Sequence, residues 1–156
     1  AESWAAPIEI NVNSTDYKQS SLVALPDTLA VGDDLPAVYR FVGLLPASSA
    51  LIELPFGEVA FETRYMFFST FHWRRLVNGY SGGAPDEYGL WSDRFKDIHL
   101  QPEPAWQSVL DSRATHLIVH EGSYAGDRGR LISAWATAHG AQEVGAFGSD
   151  RIFAVR

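Results

Sequence analysis

Thr115-His116-Leu117-Ile118-Val119-His120 is the stretch on which the fold turns. The two histidines stand four apart, the spacing of a metal pair on a helix. The run between them is apolar and partly β-branched, which favours a strand. On a strand, residues four apart lie ~13 Å from each other, too far to share one ion. The reading is therefore a buried strand without a metal site, and His120-Glu121 at its end are candidates for ligand contact. A glycine loop (Gly122, Gly126, Gly129) and then a helix follow it. This spacing matches neither the dinucleotide fingerprint nor the P-loop, and Asp127 would place its own charge at the helix start. No nucleotide or other cofactor is expected.

Working outward, Asp127 is expected to cap the last helix, with Leu131, Ile132 and Trp135 on its core face and Gly140 closing it. A terminal hairpin is expected from Glu143–Phe147 and Arg151–Val155 across Gly148-Ser149-Asp150. Toward the N-terminus, Ala50-Leu51-Ile52-Glu53-Leu54 reads as a second buried strand. Glu53 interrupts it, either as an open-face side chain or as a carboxylate facing a crevice at the strand's C-terminal end, where open α/β sheets place their ligands. Leu35, Val38, Tyr39, Val42 and Leu45 form a helical stripe, as do Phe61, Tyr65 and Phe68. Tyr88, Trp91, Phe95 and Ile98 mark a helix opened by Pro85, and another is expected after Pro104, with Trp106, Val109 and Leu110 apolar. Ile8, Ile10 and Val12 alternate as in a half-buried strand. The reading is one α/β domain over residues 1–156, a mixed sheet flanked by helices with a C-terminal β-hairpin.

His72-Trp73-Arg74-Arg75-Leu76-Val77-Asn78-Gly79-Tyr80-Ser81-Gly82-Gly83 is the densest mixture of aromatic, cationic, amide and glycine groups. As a strand over Arg75–Asn78, it would put Arg74, Leu76, Asn78 and Tyr80 on one face, with a positive-φ turn at Asn78-Gly79. Rings can cover the apolar face of a sugar while Arg and Asn donate to its hydroxyls. His72, Arg74, Asn78 and Tyr80 are therefore candidate ligand-binding residues, with Glu53, His120 and Glu121. A polar network that merely anchors the loop is the competing reading. No catalytic residue is assigned. Glu53, Glu58, Glu62, Asp86 and Glu121 are available as carboxylate pairs, but their separations are not legible. There is no Gly-x-Ser-x-Gly elbow.

Composition narrows the class. A hydrophobic fraction of 46% in 156 residues supports a real core. The 9 Phe, 6 Tyr and 5 Trp exceed what that core normally needs, so some are expected to line a groove. A net charge of −7 with no basic run argues against nucleic acid. With no cysteine, neither a disulfide framework nor a thiolate metal site exists. No apolar run reaches the ~20 residues that span a bilayer. The start at Ala1-Glu2-Ser3-Trp4 suggests a processed protein or a fragment.

The motif segments also carry a resemblance. In order they are Ala5-Ala6-Pro7-Ile8, Pro36–Val42, Leu51-Ile52-Glu53-Leu54-Pro55, Tyr65–Phe71, His72–Gly83, Thr115–His120 and Arg151–Val155. This pattern resembles the C-terminal soluble region of bacterial polytopic membrane proteins of the glycosyltransferase C type, relatives of lipid-phosphate-sugar-dependent mannosyltransferases. It runs from about Trp4 to the end and is most specific over Leu76–Gly82. The resemblance implies an extracytoplasmic domain, tethered through membrane helices that would lie before Ala1. It implies a glycan or lipid-linked sugar as partner, and a catalytic acid located in a loop outside this chain. The isolated domain is then expected to be inactive and to assist acceptor or sugar recognition. A secreted, non-catalytic carbohydrate-binding or protein-interaction module is the alternative.

Overall fold

The computed structural model describes residues 21–26, 28–79, 83 and 85–155. The expected strand at Ile8–Val12 and the candidate Tyr80 lie outside the described residues. The five strands among the described residues are β1 (Ala50–Leu54), β2 (Arg75–Leu76), β3 (His116–His120), β4 (Gln142–Phe147) and β5 (Asp150–Ala154). They form one sheet in the order β2-β1-β3-β5-β4. β1 is parallel to β2 and β3, while β5 runs antiparallel to β3 and pairs with β4 as a hairpin. The helices are α1 (Ala37–Leu44), α2 (Val59–His72), α3 (Asp86–Lys96), α4 (Pro102–Asp111) and α5 (Arg128–Ala138). Two short 3₁₀ turns span Gly32–Asp34 and Glu121–Ser123. No described helix is long and apolar enough to cross a membrane.

Strand periodicity splits the core into two layers. Ile52, Leu54, Leu117, Val119 and Phe153 face a cluster completed by Phe95 of α3, Val109 of α4 and Ile132 of α5. Leu51, Ile118 and Ile152 face Val38, Tyr39 and Val42 of α1 and Phe68 of α2. Both faces of β1 and β3 are thus covered, which is why these strands read as nearly unbroken apolar runs. Glu53 shares the face of Leu51, and His120 shares that of Ile118, so both point toward α1 and α2.

Several local expectations change. Pro36 sits at the N-cap of α1 rather than inside its first turn, and Asp34 belongs to the preceding 3₁₀ turn. α4 starts at Pro102, before Pro104. The expected strand over Arg75–Asn78 pairs only at Arg75 and Leu76. Gly79 does not have positive φ, because Asn78 turns inward instead of opening a tight hairpin. Leu131 is 67% exposed, so the core face of α5 is Ile132, Trp135 and Ala136. Asp127 occupies the N-cap position of α5 without a side-chain cap bond, and its carboxylate pairs with Arg130 instead.

Candidate functional site

The site lies where β1 and β3 end side by side. The chain leaves β1 toward α2 on one face and leaves β3 toward α5 on the other. This divergence makes a topological switch point, the place where open α/β sheets form crevices beyond the strand ends. The turn Glu121–Ser123 closes one side, held by Val23 N–H donating to the Ser123 carbonyl at 2.8 Å and Glu121 N–H to that of Ser149 at 2.8 Å. α5 can pack this close only because position 129 is glycine. A Cβ there would stand 2.3 Å from the Glu121 carbonyl oxygen.

At the centre, His120 is held between two carboxylates. Its Nε2 lies 2.9 Å from Glu53 Oε2 and its Nδ1 lies 2.8 Å from Asp150 Oδ1. Sheet register produces this arrangement: β3 and β5 pair His120 with Asp150 directly, and Glu53 is paired with Ile118 on the neighbouring strand. Glu53 is fully buried. It also accepts a 3.0 Å bond from the Tyr39 hydroxyl. Burial opposes protonation of His120, but the bonds to Asp150 and Glu53 and their charges outweigh it and push the pKa up to about 9. The ring is therefore an imidazolium near neutral pH. With a proton on each nitrogen it has no lone pair for a metal and cannot take a proton from a nucleophile.

Aromatic rings surround this triad. Tyr65 stacks on His120 with centroids 5.2 Å apart, and Tyr39 stacks on Phe68 at 4.3 Å. Burial, then the charge of Glu53, raises both phenols well above their ordinary pKa, so both stay neutral. Glu53 Oε1 and the Tyr65 hydroxyl oxygen are buried without a hydrogen-bond partner among the described residues. Above them opens a pocket of about 210 Å³, lined by Tyr39, Phe61, Tyr65, His120, Ser149 and Asp150, with Arg64, Phe68 and Ser123 also on its wall. Its size is below the ~300–1,000 Å³ of drug-sized pockets, which suits one small ring rather than an oligomer.

The sequence candidates fall into two groups. Glu53 and His120 meet in this triad. Glu121 stands beside it and pairs with Arg151 at 3.4 Å. The remaining described candidates are held in the scaffold. Arg74 donates to the carbonyls of Leu45 at 2.8 Å and Gly43 at 2.7 Å at the C-terminus of α1, and of His72 at 2.7 Å at the C-terminus of α2. Asn78 pairs with the backbone of Glu53, accepting from its N–H at 2.6 Å and donating to its carbonyl at 2.9 Å. It thereby extends the edge of β1 where β2 stops. His72 is buried, its Nδ1 accepting from Arg74 N–H at 3.0 Å. Burial lowers its pKa, so it is neutral.

Sequence reasoning missed Asp150 and Arg64, and named Glu62 only as one of five carboxylates that could pair. Asp150 was read as a turn residue, and only the β3–β5 register reveals its partner. Glu62 falls beside the apolar stripe of α2 and is buried. It accepts from the backbone N–H of Gly57 at 2.7 Å and of Gly79 at 2.6 Å, and from Asn78 Nδ2 at 3.0 Å. It thereby ties the loop after β1 to the loop after β2. Burial raises its pKa, against the lowering effect of those donors.

Fold and site together define a mixed α/β domain with one small, aromatic-walled polar pocket at the sheet's switch point. Comparison with known proteins finds no matching family model, no matching curated protein and no matching solved structure.

Proposed function

We propose that this domain recognises a single sugar residue in the pocket over His120. In this reading it acts as the non-catalytic, extracytoplasmic part of a glycosyltransferase-like membrane protein. The observation that carries the sugar reading is the lining of the pocket over the clamped His120. Polar groups (Asp150, Arg64, Ser123 and Ser149) line a cavity whose other walls include the rings of Tyr39, Phe61, Tyr65 and Phe68, the pairing that a ring with apolar faces and hydroxyl edges requires. Recognition without catalysis follows the sequence resemblance, and both ring nitrogens of His120 are engaged by carboxylates rather than open to a reacting group. The membrane-bound parent rests on the sequence resemblance alone.

The test is an NMR titration of the purified chain with monosaccharides, followed through the His120 ring and the backbone signals of residues 120–123 and 149–150. Binding that weakens about tenfold or more in Asp150→Ala supports the reading. Absence of any shift at these residues with every sugar removes it. In the full-length parent, sugar transfer should fall in Asp150→Ala at unchanged expression. Transfer by the isolated domain from a lipid-linked donor would refute its non-catalytic role.

A protein-interaction module is favoured by a different observation. Leu44 and Trp73 are 84% and 81% exposed at the ends of α1 and α2, with Phe71 beside them. Retained sugar transfer in Asp150→Ala, lost in Trp73→Ala, would select that reading.

A further inference from the structure

We infer that the sugar bound in this pocket carries one carboxylate, as a hexuronic acid does, and that Arg64 reads it. The inference rests on the proposed sugar site and adds the charge of the ligand. Arg64 projects from α2 one turn before Phe68, and its guanidinium carbon lies 5.2 Å from the centre of that ring. The stack holds the planar fork against the pocket wall, as cation–π contacts do. The side chain is half-buried and lines the cavity. Among the described residues it has neither an ion pair nor a hydrogen bond. A guanidinium has five N–H donors in a fixed plane, which match the two oxygens of a carboxylate.

The number of cations left to pair sets the number of negative charges. The positive charge of His120 is already shared between Glu53 and Asp150, at 2.9 and 2.8 Å. These three groups together carry one net negative charge. Arg64 brings the lining to neutrality before the ligand enters, and among the described residues it has no carboxylate partner. One carboxylate finds one guanidinium to pair with and leaves the site with a single net negative charge. A phosphate dianion would set its second charge against Asp150 without a second cation to meet it. The Ser123 and Ser149 hydroxyls on the wall then serve the ring hydroxyls.

The experiment is isothermal titration of the full chain near pH 7 with D-glucuronate, D-galacturonate, D-glucose, D-galactose and D-glucose 6-phosphate. NMR shifts at His120 and Asp150 would locate each binding event. The expected result is that a hexuronate binds at least about tenfold more tightly than its neutral hexose. Arg64→Gln should bring the two within about threefold of each other. Arg64→Lys, which keeps the charge but not the fork, should restore part of the preference and serves as the measurement if the Gln variant fails to fold. Equal binding of neutral hexose and hexuronate would overturn the carboxylate while leaving the sugar site standing. Tighter binding of the phosphate sugar would overturn the single-charge argument. Failure of all five ligands to shift the pocket signals would overturn both the inference and the sugar site beneath it.

Discussion

Asn78 shows how a polar side chain can replace a length of strand. β2 ends at Leu76, so the Glu53 backbone has no strand partner on that side. The Asn78 carboxamide supplies both an acceptor and a donor there, and its amide also reaches Glu62. An Asn78→Ala variant should lose about 2–3 kcal/mol, because a buried N–H and a buried carboxylate are left short of partners. Urea unfolding would measure the loss, and a change under 0.5 kcal/mol, about the size of an ordinary surface substitution, would contradict this account. Sequence reading singled out Asn78 from the company it keeps, but residue type could not separate a ligand donor from an internal brace. The same holds for Arg74. The difference lies in which groups the chain brings within ~3 Å, and local sequence does not contain that information.

Elements were more legible, because periodicity and turn residues act over short spans. The β3 strand, the α1 and α2 stripes and the C-terminal hairpin all follow from spacing. The misplacements occurred where a tertiary contact overrides local preference. Leu131 looked like part of the core face of α5, yet packing of α5 on the turn Glu121–Ser123 leaves it outside. That packing depends on Gly129. A Gly129→Ala methyl would meet the Glu121 backbone at 2.3–2.7 Å, with no flexible side chain to yield. The expected cost is roughly 1–3 kcal/mol. Because Glu121 follows His120 directly, backbone shifts at residues 120–123 should accompany it in an NMR spectrum. Unchanged stability and unchanged shifts would show that the turn and helix part without cost.

At the scale of the molecule, the buried triad links stability to pH. His120 has an ordinary pKa of 6.5 and a folded value of about 9. The folded state therefore binds the proton more tightly, and the stability this contributes is fully present below 6.5. It declines as pH rises from 6.5 through about 9, where the folded imidazolium finally loses its proton. The decline attributable to this group is roughly 3 kcal/mol. Thermal midpoints between about pH 6 and pH 10 should fall accordingly. Glu53→Gln should flatten the fall, since it removes one of the two charges that raise the pKa, and should also lower stability near neutrality by about 3 kcal/mol. A wild-type midpoint independent of pH over this range would mean that His120 is not held as an imidazolium.

The sequence by itself determined the α/β class, the buried strands and most helices, because apolar spacing and turn chemistry are local signals that survive without a fold. It also marked Glu53 and His120, since charge inside or at the end of an apolar strand demands a partner. Only the tertiary structure decided what those partners are. The β3–β5 register joins His120 to Asp150 across 30 positions of chain, and the parallel pairing of β1 with β3 brings Glu53 from 67 positions away. Arg64 became a candidate only when the placement of α2 set it on the pocket wall. Such encounters depend on register and helix placement, which are settled by the packing of the whole chain rather than by any stretch of it.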